Sequence, residues 1–162
     1  MDVLTPRGQQ TLKDEQSAAK IFEESTGLSY VRTPDDQPAK VDAVIVDKGR
    51  IVAVVETKCR YGVDRKTLRE KWSDEWLVTM EKVESAKDAA ALLAVPLYGF
   101  LFLVDEGVLL TKQLADATGQ YSCKMRLDNT STQRTVNGGS IVRCNAFIDM
   151  TAAKEWKRSE EN

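Results

Sequence analysis

The sequence contains no histidine. That excludes Ser-His and Cys-His catalytic pairs, histidine general bases and histidine-ligated zinc or iron. Cysteine is scarce as well. Cys59, Cys123 and Cys144 are odd in number, widely spaced and form no CxxC pair. A structural zinc site is therefore not expected, and reduced thiols in a cytosol are. The first residues, MDVLTPRGQQ, lack the basic head and apolar core of a signal peptide. No apolar run reaches the length of a membrane span, so a cytoplasmic protein with no membrane partner is expected. Net charge is only −2, which leaves no global basic field to argue for nucleic acid. Acid–base or metal chemistry falls to carboxylates, Lys, Tyr, Cys and water.

What is present fits a soluble globular chain: 42% of residues are apolar and 30% charged. At 162 residues it is most simply one domain with its own core. The most informative stretch is 41–60, VDAVIVDKGRIVAVVETKCR. It reads as two apolar strands reversing at Asp47-Lys48-Gly49-Arg50. Three charges interrupt it: Asp42, Glu56 and Lys58. Such charges are expensive to bury unless a metal ion or an ion partner answers them. Alternation puts Glu56 and Lys58 on one face. Whether Asp42 joins them depends on the loop. An even loop turns Asp42 away from Glu56. A three-residue loop, Asp47-Lys48-Gly49, sets Asp42 opposite Val54 and one diagonal step from Glu56. A β-bulge in either strand resets this register.

The rest of the chain supplies context. Thr5-Pro6 starts a helix to about Thr26, with Gly27 as its stop. Leu12, Glu15, Ala19, Phe22 and Thr26 share a stripe, while Lys13, Asp14, Lys20, Glu23 and Glu24 fall elsewhere. Glu15 either faces inward or reaches solvent near the helix start. A short strand over 28–31 and a polar loop over 33–38 precede the hairpin. Residues 60–71 read as an irregular segment carrying the only dense positive cluster, with Arg60, Arg65, Lys66, Arg69 and Lys71. It is a solvated loop or a surface facing phosphates. Ser73 can cap a helix to about Ala94, with Trp72, Trp76, Met80, Val83, Ala90 and Leu93 inward and Lys82 off that stripe. Both Trp are expected in the core. Residues 98–104, YGFLFLV, form a buried strand that a helical crossover can place parallel to the second hairpin strand. A strand at 108–110, a short helix over 112–117, a polar loop over 128–133, a turn over 135–140, a strand over 141–148 and a helix from Thr151 to about Arg158 complete the expectation. The tail, 159–162, should fray.

This order resembles the PD-(D/E)XK nuclease superfamily over roughly residues 8–104. The family's acidic residue on one strand matches Asp42. Its (D/E)-x-K on the next matches Glu56-Thr57-Lys58, with thirteen residues between Asp42 and Glu56. Glu15 matches the first-helix glutamate of many members. Glu56-Thr57-Lys58-Cys59-Arg60 is similar to the E-x-K-C-R string of some small phage and bacterial members, including junction-resolvase-like ones. Lys82 matches a lysine some carry on the following helix. Val41 stands where the nominal motif has Pro, and the Gln-x-x-x-Tyr string of the exonuclease-like branch is absent, which points away from a processive exonuclease.

The resemblance implies an α/β, restriction-endonuclease-like core: a central mixed β-sheet flanked by helices. It implies one nuclease-like domain over 1–162, with 105–162 as C-terminal strands and helix, a candidate for substrate recognition. The implied activity is metal-dependent endonucleolytic hydrolysis of DNA phosphodiester bonds. Asp42, Glu56, the Thr57 carbonyl and Glu15 make an all-oxygen set suited to Mg²⁺, with Mn²⁺ as a substitute. Lys58 would orient or deprotonate the attacking water. Arg60, Arg65, Lys66, Arg69 and Lys82 would hold flanking phosphates. Duplex or branched DNA is the implied partner, and a homodimer is compatible with cutting two strands. Two alternatives stay open: a catalytically silent nucleic-acid-binding module with the nuclease fold, and a protein-interaction domain in which Glu56 and Lys58 are a structural ion pair.

Overall fold

A computed structural model describes residues 5–34, 41–134 and 139–160. Parts of the expected loop over 33–38, turn over 135–140 and tail over 159–162 lie outside the described residues. The chain begins with α1 (Pro6–Thr26), entered through the Thr5 hydroxyl, which accepts from the Gly8 N–H at 3.0 Å. Gly27 closes it at φ 74°, a left-handed cap that glycine adopts without a Cβ clash. Its buried face holds Asp14, Ala18, Ile21 and Phe22, so Asp14 points inward, contrary to expectation. Then come β1 (Ser29–Arg32), β2 (Ala43–Asp47) and β3 (Arg50–Arg60).

The reversal between β2 and β3 uses only two central residues, Lys48 and Gly49, both at positive φ. This primed turn matches the twist of the strands. An even turn alone would separate Asp42 from Glu56. One residue later the register slips: Val46 pairs with Ile51, but Ile45 pairs with Ala53, leaving Val52 as a bulge. The three-residue loop of the sequence reading is replaced by a tight turn plus a bulge. Beyond the bulge Val44 faces Val54 and Ala43 faces Val55, so the next step sets Asp42 level with Glu56.

After β3 the basic segment is not irregular. Residues Arg65–Lys71 form α2, capped by the Asp64 side chain on the Thr67 N–H at 2.6 Å. Ser73 and Asp74 then turn at positive φ, and Glu75–Thr79 is β4, not the first turn of a helix. The helix α3 spans Met80–Leu92. The reason is alternation: Trp76 and Val78 are buried, whereas Glu75, Leu77 and Thr79 are half-buried. Trp76 is core, but Trp72 is exposed. Next come β5 (Leu97–Leu103), β6 (Val108–Ala115), β7 (Met125–Arg134), β8 (Ser140–Asp149) and β9 (Lys154–Lys157). The expected helix over 112–117 is strand as far as Ala115, the one after Thr151 is a turn followed by β9, and the polar loop over 128–133 is part of β7. All three are polar stretches that hydrogen-bond to β5, β6 or β8, so pairing partners distant in sequence decide their state.

The fold is α/β. A six-stranded mixed sheet runs β1-β2-β3-β5-β6-β9, and a three-stranded sheet runs β4-β8-β7. The β3–β5 pair is parallel, as the sequence suggested, and the others are antiparallel. Helix α1 covers one face with Ile21 and Phe22 against Val55, Phe100 and Leu109. On the other face α3 and the small sheet bury Val83, Trp76 and Ile148 against Val54, Leu97 and Leu101. Gly99, level with Glu56, leaves room for Trp76: a Cβ there would lie 2.5 Å from the indole. Among the described residues no helix is long and apolar enough to cross a membrane.

Candidate active site

Alternation along β3 divides its side chains cleanly. Val55 faces α1, whereas Val54 joins the core under α3. Glu56 and Lys58 share the α3 side with Val54. Asp42, level with Glu56, takes the same side, and its Oδ2 accepts the Thr57 N–H at 2.8 Å. The aspartate is thereby clamped to the backbone of the Glu56-Thr57-Lys58 string. The Thr57 hydroxyl, on the opposite face, lies 2.8 Å from the Tyr30 hydroxyl. Burial drives the Tyr30 phenol well above its ordinary range, so it remains a neutral hydrogen-bonding group.

Glu56 is 2% exposed, and its Oε1 has no hydrogen-bond partner among the described residues. Burial first, then the adjacent Asp42 charge, pushes its carboxyl up to about 7. Lys82, at the start of α3, approaches Oε1 only to 4.0 Å, beyond hydrogen-bond range. The Lys58 amine is held below its ordinary value by burial, and further by Lys82. A cleft of about 290 Å³ opens over Asp42 and Glu56, walled by Thr79, Glu81, Lys82 and Ser85 of the β4–α3 junction and by Arg143 of β8.

Glu15 approaches from α1. Its carboxylate pairs with Arg32 Nε at 3.0 Å. Burial raises its carboxyl pKa, Arg32 opposes that shift, and the charges of Asp42 and Lys58 also reach it. The structure therefore brings Asp42, Glu56, Lys58 and Lys82 together and leaves Glu15 beside them, held by a strand arginine. Among the described residues no three acidic or thiol side chains converge on one point.

The expected phosphate-binding cluster divides. Arg65 is a correction: it is 5% exposed, and its guanidinium ties together Asp74, Glu155 and the Met150 carbonyl. It pins α2 to the turn before β4 and to β9, and cannot face substrate. Arg69 lies 3.4 Å from that same Glu155. Arg60 is half-buried, with its guanidinium on the Leu77 and Cys59 carbonyls. Lys66 is exposed on α2. None of these four lines the cleft, whereas Lys82 does.

Arg143, Arg32 and Tyr30 were missed from the sequence. Arg32 carried a faint signal, as a charge closing a short strand just before the hairpin. Arg143 carried none, because only the pairing of β8 with β4 brings it to the cleft.

No protein-family model matches the chain, and no curated protein matches it.

The donor chemistry can be tested against a divalent ion. Two neighbouring carboxylates, one with a buried oxygen that accepts no hydrogen bond among the described residues, carry a repulsion that a hard cation would relieve. Mg²⁺ binds through one or two carboxylates and keeps several waters, so it does not need a third acidic ligand. The residues fit.

Proposed function

We propose that the protein is a metal-dependent endonuclease of the PD-(D/E)XK type, hydrolysing DNA phosphodiester bonds. The observation carrying this is the buried, unpartnered Glu56 oxygen beside Asp42, with Lys58 on the same strand face. Asp42, Glu56 and the Thr57 carbonyl would hold the Mg²⁺ or Mn²⁺ ion. Such an ion supplies positive charge to the phosphodiester and acidity to water. Everything else is done by the chain. The Asp42–Thr57 hydrogen bond keeps both carboxylates in register before substrate arrives. Burial lowers the Lys58 pKa, so more of its amine is neutral at a given pH than for a solvated lysine, and the neutral amine can take the proton of the attacking water. Lys82 draws the phosphate toward Glu56 and offsets the charge there. Glu15, steadied by Arg32, adds negative potential behind Lys58.

The test is cleavage of supercoiled, linear and branched DNA in Mg²⁺ and Mn²⁺. Wild type should cut, and Asp42→Ala and Lys58→Ala should lose activity by at least about a hundredfold while keeping their fold by circular dichroism. Absence of cutting on every DNA form sinks the proposal. A second reading draws on Lys82, which already answers part of the Glu56 charge at 4.0 Å. On that reading the fold binds nucleic acid without hydrolysing it. DNA binding that depends on salt but ignores metal would favour this alternative.

A further inference from the structure

We propose that Arg143 grips a backbone phosphate of the substrate at this cleft, which makes the part of β8 beyond β4 a substrate-binding edge. The inference deepens the nuclease reading and rests on it for the identity of the polymer.

The argument starts from the small sheet. The β4–β8 pairing ends at Thr79 and Asn145. At that point β4 turns into α3, and β8 continues past it, still paired with β7. Arg143 lies two residues beyond, opposite Thr130, and shares a cleft with Glu81 and Lys82 of the first turn of α3. There it forms a wall of the cleft that contains Asp42 and Glu56.

Arg143 is exposed and has no carboxylate partner among the described residues. Arg32, Arg65, Arg69 and Arg126 each pair with an acid. Their guanidiniums serve the fold, and that of Arg143 is available. Its backbone is nevertheless well anchored. Asn145 is 1% exposed, and its amide donates to the Thr130 hydroxyl and to the Arg143 carbonyl. An arginine on a rigid strand, next to a reacting centre and without an acidic partner, suits an oxyanion. Its planar fork can grip two phosphate oxygens at once.

A second feature opens on the same cleft. Among the described residues, the Thr79 side chain makes no capping hydrogen bond to the first N–H groups of α3. Charge balance also favours a polyanion. Asp42, Glu56 and Glu81 face Lys82 and Arg143 across the cleft, with Lys58 behind on β3. A divalent ion on the two carboxylates makes the cleft net positive, as a phosphodiester requires.

The experiment measures binding separately from cutting. Anisotropy of fluorescein-labelled duplex and four-way-junction DNA would be followed with Ca²⁺ in place of Mg²⁺, over a range of KCl. Arg143→Ala should weaken binding about tenfold, and the slope of log K against log[salt] should fall by about one. Arg143→Lys should restore the slope and only part of the affinity. Lys20→Ala, on the exposed side of α1, is the control and should bind as wild type does. In Mg²⁺, Arg143→Ala should raise KM more than it lowers kcat. Unchanged affinity and slope in Arg143→Ala overturns the proposal even if wild type cuts DNA. A slope lowered in Arg143→Ala, alongside a wild type that binds DNA but never cuts it, keeps Arg143 as a phosphate contact and overturns the nuclease reading instead. Failure of wild type to bind either DNA overturns both.

Discussion

Replacing Glu56 with Gln should make the metal-free protein more stable and leave it unable to respond to metal. Glu56 sits with one oxygen that accepts no hydrogen bond among the described residues, and burial beside Asp42 lifts its carboxyl from an ordinary 4.5 to about 7. The folded chain therefore holds the Glu56 proton more tightly than the unfolded chain does. Between those two values the native state binds more protons, so stability falls as pH rises through the window. A shift of this size costs about 3 kcal/mol at pH 8 and under about 1 kcal/mol at pH 5. Gln keeps the shape and removes the charge. In EDTA at pH 8, Glu56→Gln should raise Tm by roughly 6–12 °C, using about 2–4 °C per kcal/mol for a chain of this size. At pH 5 the gain should shrink to a few degrees. Saturating Mn²⁺ at pH 8 should stabilise wild type, by about 2.7 kcal/mol at a hundred times Kd, and leave the variant unmoved. Thermal melts by circular dichroism at the two pH values, with and without Mn²⁺, read all of this. Equal Tm changes at pH 5 and pH 8, or destabilisation at both, would refute the claim of a strained buried carboxylate. A variant that still gains stability from Mn²⁺ would remove Glu56 from the metal site.

Arg65→Ala should destabilise the fold by about 3–5 kcal/mol, because it strands the buried Asp74 carboxylate, and Arg65→Lys should not rescue it. Chemical denaturation checks this, and DNA affinity at a permissive temperature should stay unchanged. Gly99→Ala should cost about 1–3 kcal/mol in the same assay, since the new Cβ meets Trp76 at 2.5 Å. Cleavage by wild type should climb with pH and level off below the ordinary lysine value of 10.5, because burial and Lys82 lower the Lys58 pKa. A pH–rate profile for the residual activity of Lys58→Ala should lack that limb.

What the sequence by itself determined is local. Thr5-Pro6 and Gly27 bound α1 through capping and a left-handed stop, both of which act within a few residues. Alternation in 50–60 assigns Glu56 and Lys58 to one face whatever the rest of the chain does. The apolar run at 98–104 has no alternative to a buried strand, and the intervening length permits its parallel pairing with β3. With no histidine, carboxylates and lysines are left to carry the candidate chemistry.

Only the tertiary structure decided the rest. Asp42 meets Glu56 because a two-residue turn and a bulge at Val52 each shift the register by one, and no local propensity records their combination. The stretches 75–79, 125–134 and 154–157 become strands because β8 and β6 offer backbone partners, which short polar segments do not announce by composition. Arg65 and Arg143 look alike in the sequence as exposed-type cations. Asp74 and Glu155 bury the first as a structural pin, and the overhang of β8 beyond β4 delivers the second to the cleft. Charge is read from composition, but whether a charge is answered, buried or free depends on contacts between residues that lie far apart in the chain.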